Sequence, residues 1–219
     1  GEAIVDEYVF CRTLGVSSKD PTIAVLQERV ESYAGGALAV ANHLAGLCEK
    51  VHLITQLGEI ERREEFISGA LAPNVQAYFF TQWGAPTICK SRIVEQYSGT
   101  KLIETYRMNG AAIDCEIDIR FYRDISHNDL ILAADFGHGL INEHTASMLC
   151  GLGVYLAVNA QSNAGNRGFN RISKYKHADY ICIANHELDL ETCKRVGDYR
   201  DKLLEATWRV DCNAWTVTR

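Results

Sequence analysis

Two adjacent glycines, Gly35 and Gly36, stand directly before an apolar helical segment and constrain the fold more than any other feature of the sequence. Apolar residues between positions 38 and 48 recur at helical spacing and cover most of the helix surface, which predicts a buried helix. Because two residues without side chains precede its first turn, the free amide N–H groups at the helix start are open to a polar or anionic ligand. A tight turn into a core helix is the alternative, and the glycine pair alone does not decide between the two.

The chain is long enough for one large α/β domain or for a core with a smaller appendage, and its composition is that of an ordinary globular protein. The chain has 219 residues, of which 47% are hydrophobic and 23% are charged. A net charge of −6 and a pI near 5.7 argue against a nucleic-acid partner, which would require a clustered basic face. The sequence shows no signal peptide and no apolar run long enough to cross a bilayer, so we expect no membrane partner. Eight cysteines without metal-ligand spacing are typical of reduced residues in a cytoplasmic protein.

Strand and helix patterns alternate along most of the chain, which predicts a mostly parallel sheet covered on both faces. The predicted strands after the glycine pair are 51–57, 75–80, 130–134, 154–158, 180–184 and 214–217. The predicted helices are 61–71, 115–122, 142–149, 186–193 and 199–204. Two excursions, at about 7–34 and 86–108, alternate with period two and are expected to pair into a small separate sheet. The second excursion is a predicted β-hairpin that turns at Ser98-Gly99. In parallel architectures, ligands bind at the carboxyl ends of the strands.

The loops that follow the predicted strands are rich in carboxylates and amides. These loops contain Asp6, the Gly35-Gly36 pair, residues 135–139, residues 159–163 and residues 185–187. Carboxylate and amide groups pair with sugar hydroxyls, and Lys90 and Arg92 on the second excursion suit an anionic group. The residues alone therefore predict a polyhydroxylated ligand, with or without a phosphate.

These motifs, taken in chain order, resemble the PfkB, or ribokinase-like, carbohydrate kinases. The resemblance rests on the Asp6 strand, Gly35-Gly36, Lys90-Ser-Arg92, the segment 135–139 and the segment 185–187, and it is strongest to the heptose-phosphate kinase domain of bifunctional ADP-heptose synthases. It implies an α/β fold, a Rossmann-type layered sheet with a small β-sheet lid. Residues 1–219 would form a single domain incomplete at both ends, with the lid at about 7–34 and 86–108. It also implies ATP and Mg²⁺ as cofactors and a homodimer formed through the lid.

The resemblance assigns substrate contacts to the first half of the chain. Asp6 would hold sugar hydroxyls, and Gly35 and Gly36 would let the sugar approach the backbone. Lys90 and Arg92 would reach an anionic group on the substrate. The structural alternatives are a turn cap for Asp6 and solvated surface charges for the two cations.

In the second half of the chain, the resemblance assigns the pocket floor to Asp135, for which a structural cap is the alternative. Asn185 and Glu187 would correspond to the family's N-x-x-E element, which places phosphates and magnesium, with Glu187 as the metal ligand. The acid of that element sits one residue early at Glu187, while Leu188 occupies its usual place.

The sequence departs from the family pattern at other positions. Ala39 stands where the family has the asparagine of G-G-x-x-N, and Asn42, one turn further on, is the predicted replacement. Asn159, Ala160 and Gln161 replace the Asp-Pro-Lys of heptose kinases, and Asn159 and Gln161 are retained as candidate substrate contacts. The family's G-A-G-D motif, which carries the catalytic base, falls beyond Arg219. We therefore expect no catalytic residue in this chain and an incomplete nucleotide pocket.

Three functions remain open at this point. The first is the substrate-binding part of an ATP-dependent sugar or sugar-phosphate kinase, which transfers the γ-phosphate to a sugar hydroxyl. The alternative is a catalytically degenerate, kinase-derived sugar-binding module. A nucleotide-sugar Rossmann enzyme is a third option, which the missing glycine fingerprint disfavours.

Overall fold

The computed structural model describes residues 1–109 and 125–219. These residues divide into two compact units, one made of residues 3–109 and the other of residues 1–2 together with 125–219. The helix predicted at 115–122 lies outside the described residues. None of the described helices is long and apolar enough to span a membrane.

The first unit contains six strands and two helices. Its elements are β1 (Ala3–Val16), β2 (Ile23–Gly36), α1 (Ala37–Ala45), β3 (Val51–Ile60), α2 (Glu64–Ala70), β4 (Val75–Pro86), β5 (Cys89–Glu95) and β6 (Thr100–Arg107). Strands β2, β1, β5 and β6 form one four-stranded sheet in that order, which we call the mixed sheet. In it β1 runs antiparallel to β2 and parallel to β5, and β5 and β6 form the predicted hairpin. Strands β3 and β4 form a parallel pair.

The core of the first unit gathers around helix α1. Leu38 of α1, Leu57 of β3 and Ile67 of α2 have no exposed surface, and they pack with the buried start of β1. Burying a side chain of this size stabilises a fold by roughly 1.5–3 kcal/mol. The far ends of β1 and β2 leave this core, and Val16 and Ile23 there are exposed.

Helix α1 ends at Ala45, three residues before the last apolar residue of the predicted helix. The side-chain amide of Asn74 donates to the carbonyl oxygens of Ala45 (2.9 Å) and Cys48 (3.0 Å), and so satisfies carbonyls at the helix end. Leu47, which the helical pattern placed beside the buried face, is 85% exposed.

The second unit is a parallel sheet with helices and one short 3-10 turn at Ile172–Lys174. Its elements are β7 (Leu130–Asp135), α3 (Glu143–Cys150), β8 (Tyr155–Ala160), β9 (Tyr180–Ala184), α4 (Asn185–Thr192), α5 (Tyr199–Thr207) and β10 (Ala214–Thr218). The strand order is β10, β9, β8 and β7, which confirms the predicted parallel sheet for this unit. Two helices begin at side-chain caps: Asn142 accepts from the Thr145 N–H, and Asp198 accepts from the Arg200 N–H.

Candidate functional site

One face of the mixed sheet brings together Asp6 and both predicted cations. Strand pairing places side chains of neighbouring strands on this face in rows. The first row is Tyr33, Asp6, Lys90 and Tyr106, and the next is Glu31, Tyr8, Arg92 and Glu104. We call this surface the Asp6 face.

Ion pairs connect the charged residues of the Asp6 face. Arg92 donates from Nη1 to Asp6 Oδ1 at 2.6 Å, and its Nε lies 3.2 Å from Glu104 Oε2. The Nζ of Lys90 lies 3.1 Å from the other Glu104 oxygen, Oε1. Two cations are therefore shared by two carboxylates, and no sequence motif marks Glu104 as the second of these carboxylates.

The surroundings keep these groups charged. Burial opposes the charge of Lys90, but its interactions with Tyr106 and Glu104 outweigh burial and raise its pKa. Burial likewise acts on Glu104 to raise its pKa, yet hydrogen bonds with Tyr106 and Lys90 outweigh it, so the pKa of Glu104 is lowered. The face thus presents fixed charges of both signs at neutral pH.

Aromatic rings lie among the charges on the Asp6 face. The Arg92 guanidinium lies 5.2 Å from the centroid of the Tyr8 ring, and the Lys90 ammonium lies 5.1 Å from that of Tyr106. Tyr8 also makes an edge-on contact with Tyr33, at 5.8 Å between ring centroids. A surface of rings, carboxylates and cations has an apolar face for sugar carbons and polar groups for hydroxyls.

The two glycines are required for different physical reasons. A Cβ built on Gly35 would lie 2.0 Å from Asp6 Oδ2, so the missing side chain makes room for the Asp6 carboxylate. Gly36 precedes α1 with φ of 58°, a conformation that residues with side chains rarely adopt. Both observations suit a tight turn into a core helix, and the predicted approach of a sugar to this backbone stays a prediction.

Asn42 does not join the Asp6 face. Its side-chain amide donates to the Ala70 carbonyl at 2.8 Å, and its side-chain oxygen accepts from the Ala72 N–H at 2.9 Å. These bonds fasten the end of α2 to α1. The contacts favour a structural role for Asn42, and its predicted substrate role is not supported by them.

In the second unit, Asp135 is fully buried at the carboxyl end of β7. Its Oδ2 accepts from the Tyr175 hydroxyl at 2.8 Å and lies 2.5 Å from Lys174 Nζ, while its Oδ1 accepts from the Gly137 N–H and from Asn170. Burial and the Asp135 charge together raise the pKa of Tyr175 well above its usual value. A carboxylate with this set of donors is held rigidly and organises the loop that follows it.

Glu2, which the sequence reasoning missed, holds the same loop. It is fully buried, and its two carboxylate oxygens accept from the Phe136 and His138 backbone N–H groups, each at 2.9 Å. No local pattern marks Glu2, because its partners lie 134 and 136 positions away in the sequence.

Asn159, which the sequence places in the loop after the strand, lies within β8 near its end, and Gln161 follows the strand. The two side chains have different surroundings. The Asn159 side chain donates to the Cys182 carbonyl at 2.7 Å and so bridges β8 and β9. The backbone of Gln161 donates to the Asp135 carbonyl, and its side chain makes no hydrogen bond within the described residues. Of the two, Gln161 has the side chain that is available to a ligand.

Asn185 and Glu187 lie in the first turn of α4. Asn185 is exposed, whereas Glu187 is nearly buried and accepts from the Ser162 N–H at 2.7 Å and the Ala184 N–H at 2.6 Å. The second bond is the glutamate half of a capping box. Leu188, at the position of the family's acid, is fully buried in the core.

The described residues contain no group of three or more His, Cys, Asp or Glu side chains placed to hold a metal ion. Glu187 therefore fits Mg²⁺ only as one carboxylate that acts together with phosphate oxygens and water, which is a common arrangement for this ion. A cleft with about 240 Å³ of empty space, part of it open to solvent, is lined by Ser162, Arg171, Glu187 and Glu191 among others.

The strand topology and the order of the motifs define the fold as that of the ribokinase-like carbohydrate kinases. Among solved structures, a ribokinase from Arabidopsis thaliana described as complexed with ribose and ATP matches 99% of this chain and 69% of its own. The TM-score is 0.69 at 16% sequence identity. Phosphofructokinase-2 from Escherichia coli matches 98% of this chain and 69% of its own, with a TM-score of 0.69 and 13% identity.

Relatives by sequence are proteins named bifunctional protein HldE. The one from Photobacterium profundum is 26% identical over 230 aligned positions, which cover 100% of this chain and 45% of the relative. The one from Ectopseudomonas mendocina is 25% identical over 147 residues, covering 66% of this chain and 30% of the relative. The chain thus spans less than half the length of these relatives. No family model matches the sequence. The resemblance to the PfkB, or ribokinase-like, sugar kinases is confirmed.

Proposed function

We propose that this chain is the substrate-binding part of an ATP-dependent sugar or sugar-phosphate kinase that transfers the γ-phosphate to a sugar hydroxyl. The observation that carries the proposal is the Asp6 face, where a carboxylate, two cations and aromatic rings share one side of a sheet. The similarity to ribokinase and phosphofructokinase-2 supports it. The mixed sheet takes the role of the lid over the sugar.

In this proposal Asp6 binds the sugar. Its Oδ1 is paired with Arg92, while its Oδ2 accepts no hydrogen bond within the described residues and is directed toward Gly35. A sugar hydroxyl can donate to this second oxygen, and Tyr8 and Tyr106 can pack against sugar carbons. A hydrogen bond to a charged group contributes about 1.5–3 kcal/mol, which corresponds to roughly a 10- to 150-fold change in affinity.

ATP and Mg²⁺ are the proposed cofactors. Asn185 and Glu187 would hold phosphates and the ion, and the ion would supply charge neutralisation for phosphoryl transfer. Asp135 would support the pocket floor through the loop that it organises, rather than by direct contact, because it is fully buried. No residue from 1 to 219 matches the family's G-x-G-D motif, so the proposal assigns no catalytic base to this chain.

Isothermal titration calorimetry with ribose, fructose and heptoses, free and phosphorylated, tests the sugar site. The wild-type chain is expected to bind at least one of them, and Asp6→Asn to weaken that binding at least tenfold. Asp20→Asn, an identical change in an exposed turn, is the matched control and should stay within twofold. Absence of heat from every sugar, or equal affinities in wild type and Asp6→Asn, would contradict the proposal.

The second candidate is a kinase-derived binding module that has lost catalysis. Three observations favour it: Ala39 replaces the family's asparagine, Asn159-Ala160-Gln161 replaces Asp-Pro-Lys, and a buried leucine, Leu188, occupies the place of the family's acid. A coupled assay of ATP consumption on the full-length gene product separates the two. Sugar-dependent turnover excludes the binding module, and sugar binding without turnover favours it.

We also propose a homodimer through the lid. On the face opposite Asp6, Val30, Val9, Ile93 and Ile103 form an apolar row across the four strands of the mixed sheet. Val30 and Ile103 are 46% and 57% exposed, so a second copy of this row can cover them. Sedimentation velocity should show a dimer that Ile103→Lys converts to monomer and that Ile60→Lys, at a residue 53% exposed in β3, leaves intact. A monomeric wild type would contradict this proposal.

A cytoplasmic location belongs to the same proposal. All seven cysteines among the described residues are free thiols, which is typical of a reducing compartment.

A further inference from the structure

Glu104 occupies the position between the two cations of the Asp6 face. Its Oε1 lies 3.1 Å from Lys90 Nζ and its Oε2 lies 3.2 Å from Arg92 Nε. The Tyr106 hydroxyl donates to Oε1 at 2.8 Å and holds the carboxylate in this position. Both groups that the sequence assigned to a substrate anion are therefore already bound to a protein anion.

The formal charges of this cluster cancel. Lys90 and Arg92 contribute two positive charges, and Asp6 and Glu104 contribute two negative charges. Next to the cluster, Arg29 Nε lies 2.8 Å from Glu31 Oε1, so this third cation is also paired within the protein. A neutral polyol meets a full set of donors and acceptors here, whereas a phosphate must displace Glu104 and leave its charge uncompensated.

We propose that Glu104 is a specificity-determining residue that directs this site toward uncharged sugars and against sugar phosphates. The inference rests on the proposed sugar-binding function of the same face. The proposal narrows the substrate class to free sugars. Their hydroxyls can donate to the carboxylates and accept from the cations while the ion pairs stay intact. Lys90 and Arg92 then act as hydrogen-bond donors to hydroxyls and not as a phosphate clamp.

Glu104→Gln tests this inference, because it keeps the side chain's size while releasing both cations from their carboxylate partner. Glu61→Gln is the matched control: Glu61 pairs with Arg107 Nη1 at 2.9 Å, and the change alters net charge by the same amount. Arg107 belongs to the row of Cys89, on the opposite face of the mixed sheet. Affinities for ribose against ribose 5-phosphate, and for fructose against fructose 6-phosphate, are measured by calorimetry at one fixed salt concentration.

The wild-type chain should bind the free sugar at least tenfold more tightly than its phosphate ester. In Glu104→Gln this ratio should fall at least tenfold, mainly because the phosphate ester binds more tightly, while Glu61→Gln changes it less than twofold. A wild type that prefers the ester, or a ratio that Glu104→Gln leaves unchanged, would overturn the inference.

A titration with inorganic phosphate, followed by NMR at the Arg92 Nε–H, decides the inference independently of any sugar. Glu104→Gln should bind phosphate at least tenfold more tightly than wild type and Glu61→Gln, and equal binding would overturn the inference. If no sugar binds to the wild type, the proposed function fails, while this titration still reports whether Glu104 excludes anions.

Discussion

Gly35→Ala tests how the Asp6 face is built. Gly35 does not have the positive φ that requires glycine. Its replacement by alanine would ordinarily stabilise the fold by about 0.4–1 kcal/mol, because alanine lowers the conformational entropy of the unfolded chain. Here the new Cβ would lie 2.0 Å from Asp6 Oδ2 and 3.2 Å from the Ile4 carbonyl oxygen. We expect the carboxylate to rotate away from the new Cβ and to lose its 2.6 Å bond to Arg92.

The expected magnitude follows from these opposing effects. A charge-assisted hydrogen bond contributes about 1.5–3 kcal/mol. The contribution of this bond is smaller, because the Asp6 and Arg92 side chains are 24% and 13% exposed and solvent screens their charges. The entropic stabilisation by alanine offsets part of this loss. We therefore expect Gly35→Ala to lower the free energy of unfolding by about 1 kcal/mol. Urea unfolding followed by circular dichroism measures this change.

A double-mutant cycle shows whether Asp6 is the cause. In an Asp6→Ala background the carboxylate is absent, so Gly35→Ala should become neutral or stabilising by about 0.5 kcal/mol. Gly36→Ala is the control, because its cost arises from φ of 58° and should be the same in both backgrounds. An equal loss for Gly35→Ala in both backgrounds would refute the reasoning and assign the strain to the Ile4 carbonyl.

Three other predictions concern pH and structural hydrogen bonds. Burial of Glu7 acts to raise its pKa, but hydrogen bonds with Ser91 and Cys89 and the nearby arginines outweigh burial and lower the pKa below 4.5. The stabilisation by Glu7 is therefore fully present above that pH and is lost as the pH falls through the lowered folded-state pKa. In urea unfolding, Glu7→Gln should flatten the loss of stability on acidification below pH 4.5, and an unchanged slope would contradict this prediction. Glu187→Ala leaves the Ser162 and Ala184 N–H groups without their carboxylate partner and should cost about 1–3 kcal/mol in thermal unfolding, and an unchanged stability would contradict this prediction. Asn42→Ala should cost about 1–2 kcal/mol while sugar affinity in calorimetry stays within twofold, and a large loss of affinity would restore its predicted substrate role.

The sequence predicted the elements well because hydrophobic periodicity is a local property. The hairpin around Ser98 and Gly99 and the four parallel strands of the second unit lie within a few residues of their predicted bounds. Helix α1 ends earlier than predicted, and Asn74, which is distant in sequence, donates to the Ala45 carbonyl at its end and to the Cys48 carbonyl beyond it. Such a contact depends on the folded arrangement and leaves no periodic signal.

The candidate site was predicted in part for the same reason. Asp6, Lys90 and Arg92 share one face because β1 pairs with β5. The period-two pattern predicted that the two excursions form one sheet, but it placed Asp6 in a loop before the first excursion, whereas Asp6 lies within β1. Glu104 was missed, since its role depends on the register of β6 against β5. The capping bond of Glu187 has only half of the usual sequence signal, because Glu187 is the acid at the third helical position but Ala184, and not serine or threonine, stands at the N-cap. Tyr175 has no such signal, because its bond to Asp135 spans 40 positions.

The pairing of β1 with β5 has a consequence for how the polypeptide is made. Residues Val5 to Cys11 of β1 pair with Cys89 to Glu95, so more than eighty residues emerge from the ribosome between the two partners. During that interval β1 and β2 can form their own hairpin, but one edge of β1 has unpaired amide and carbonyl groups. Closing so long a loop is slow, and a nascent chain paused before Cys89 would offer this edge to any other extended chain nearby.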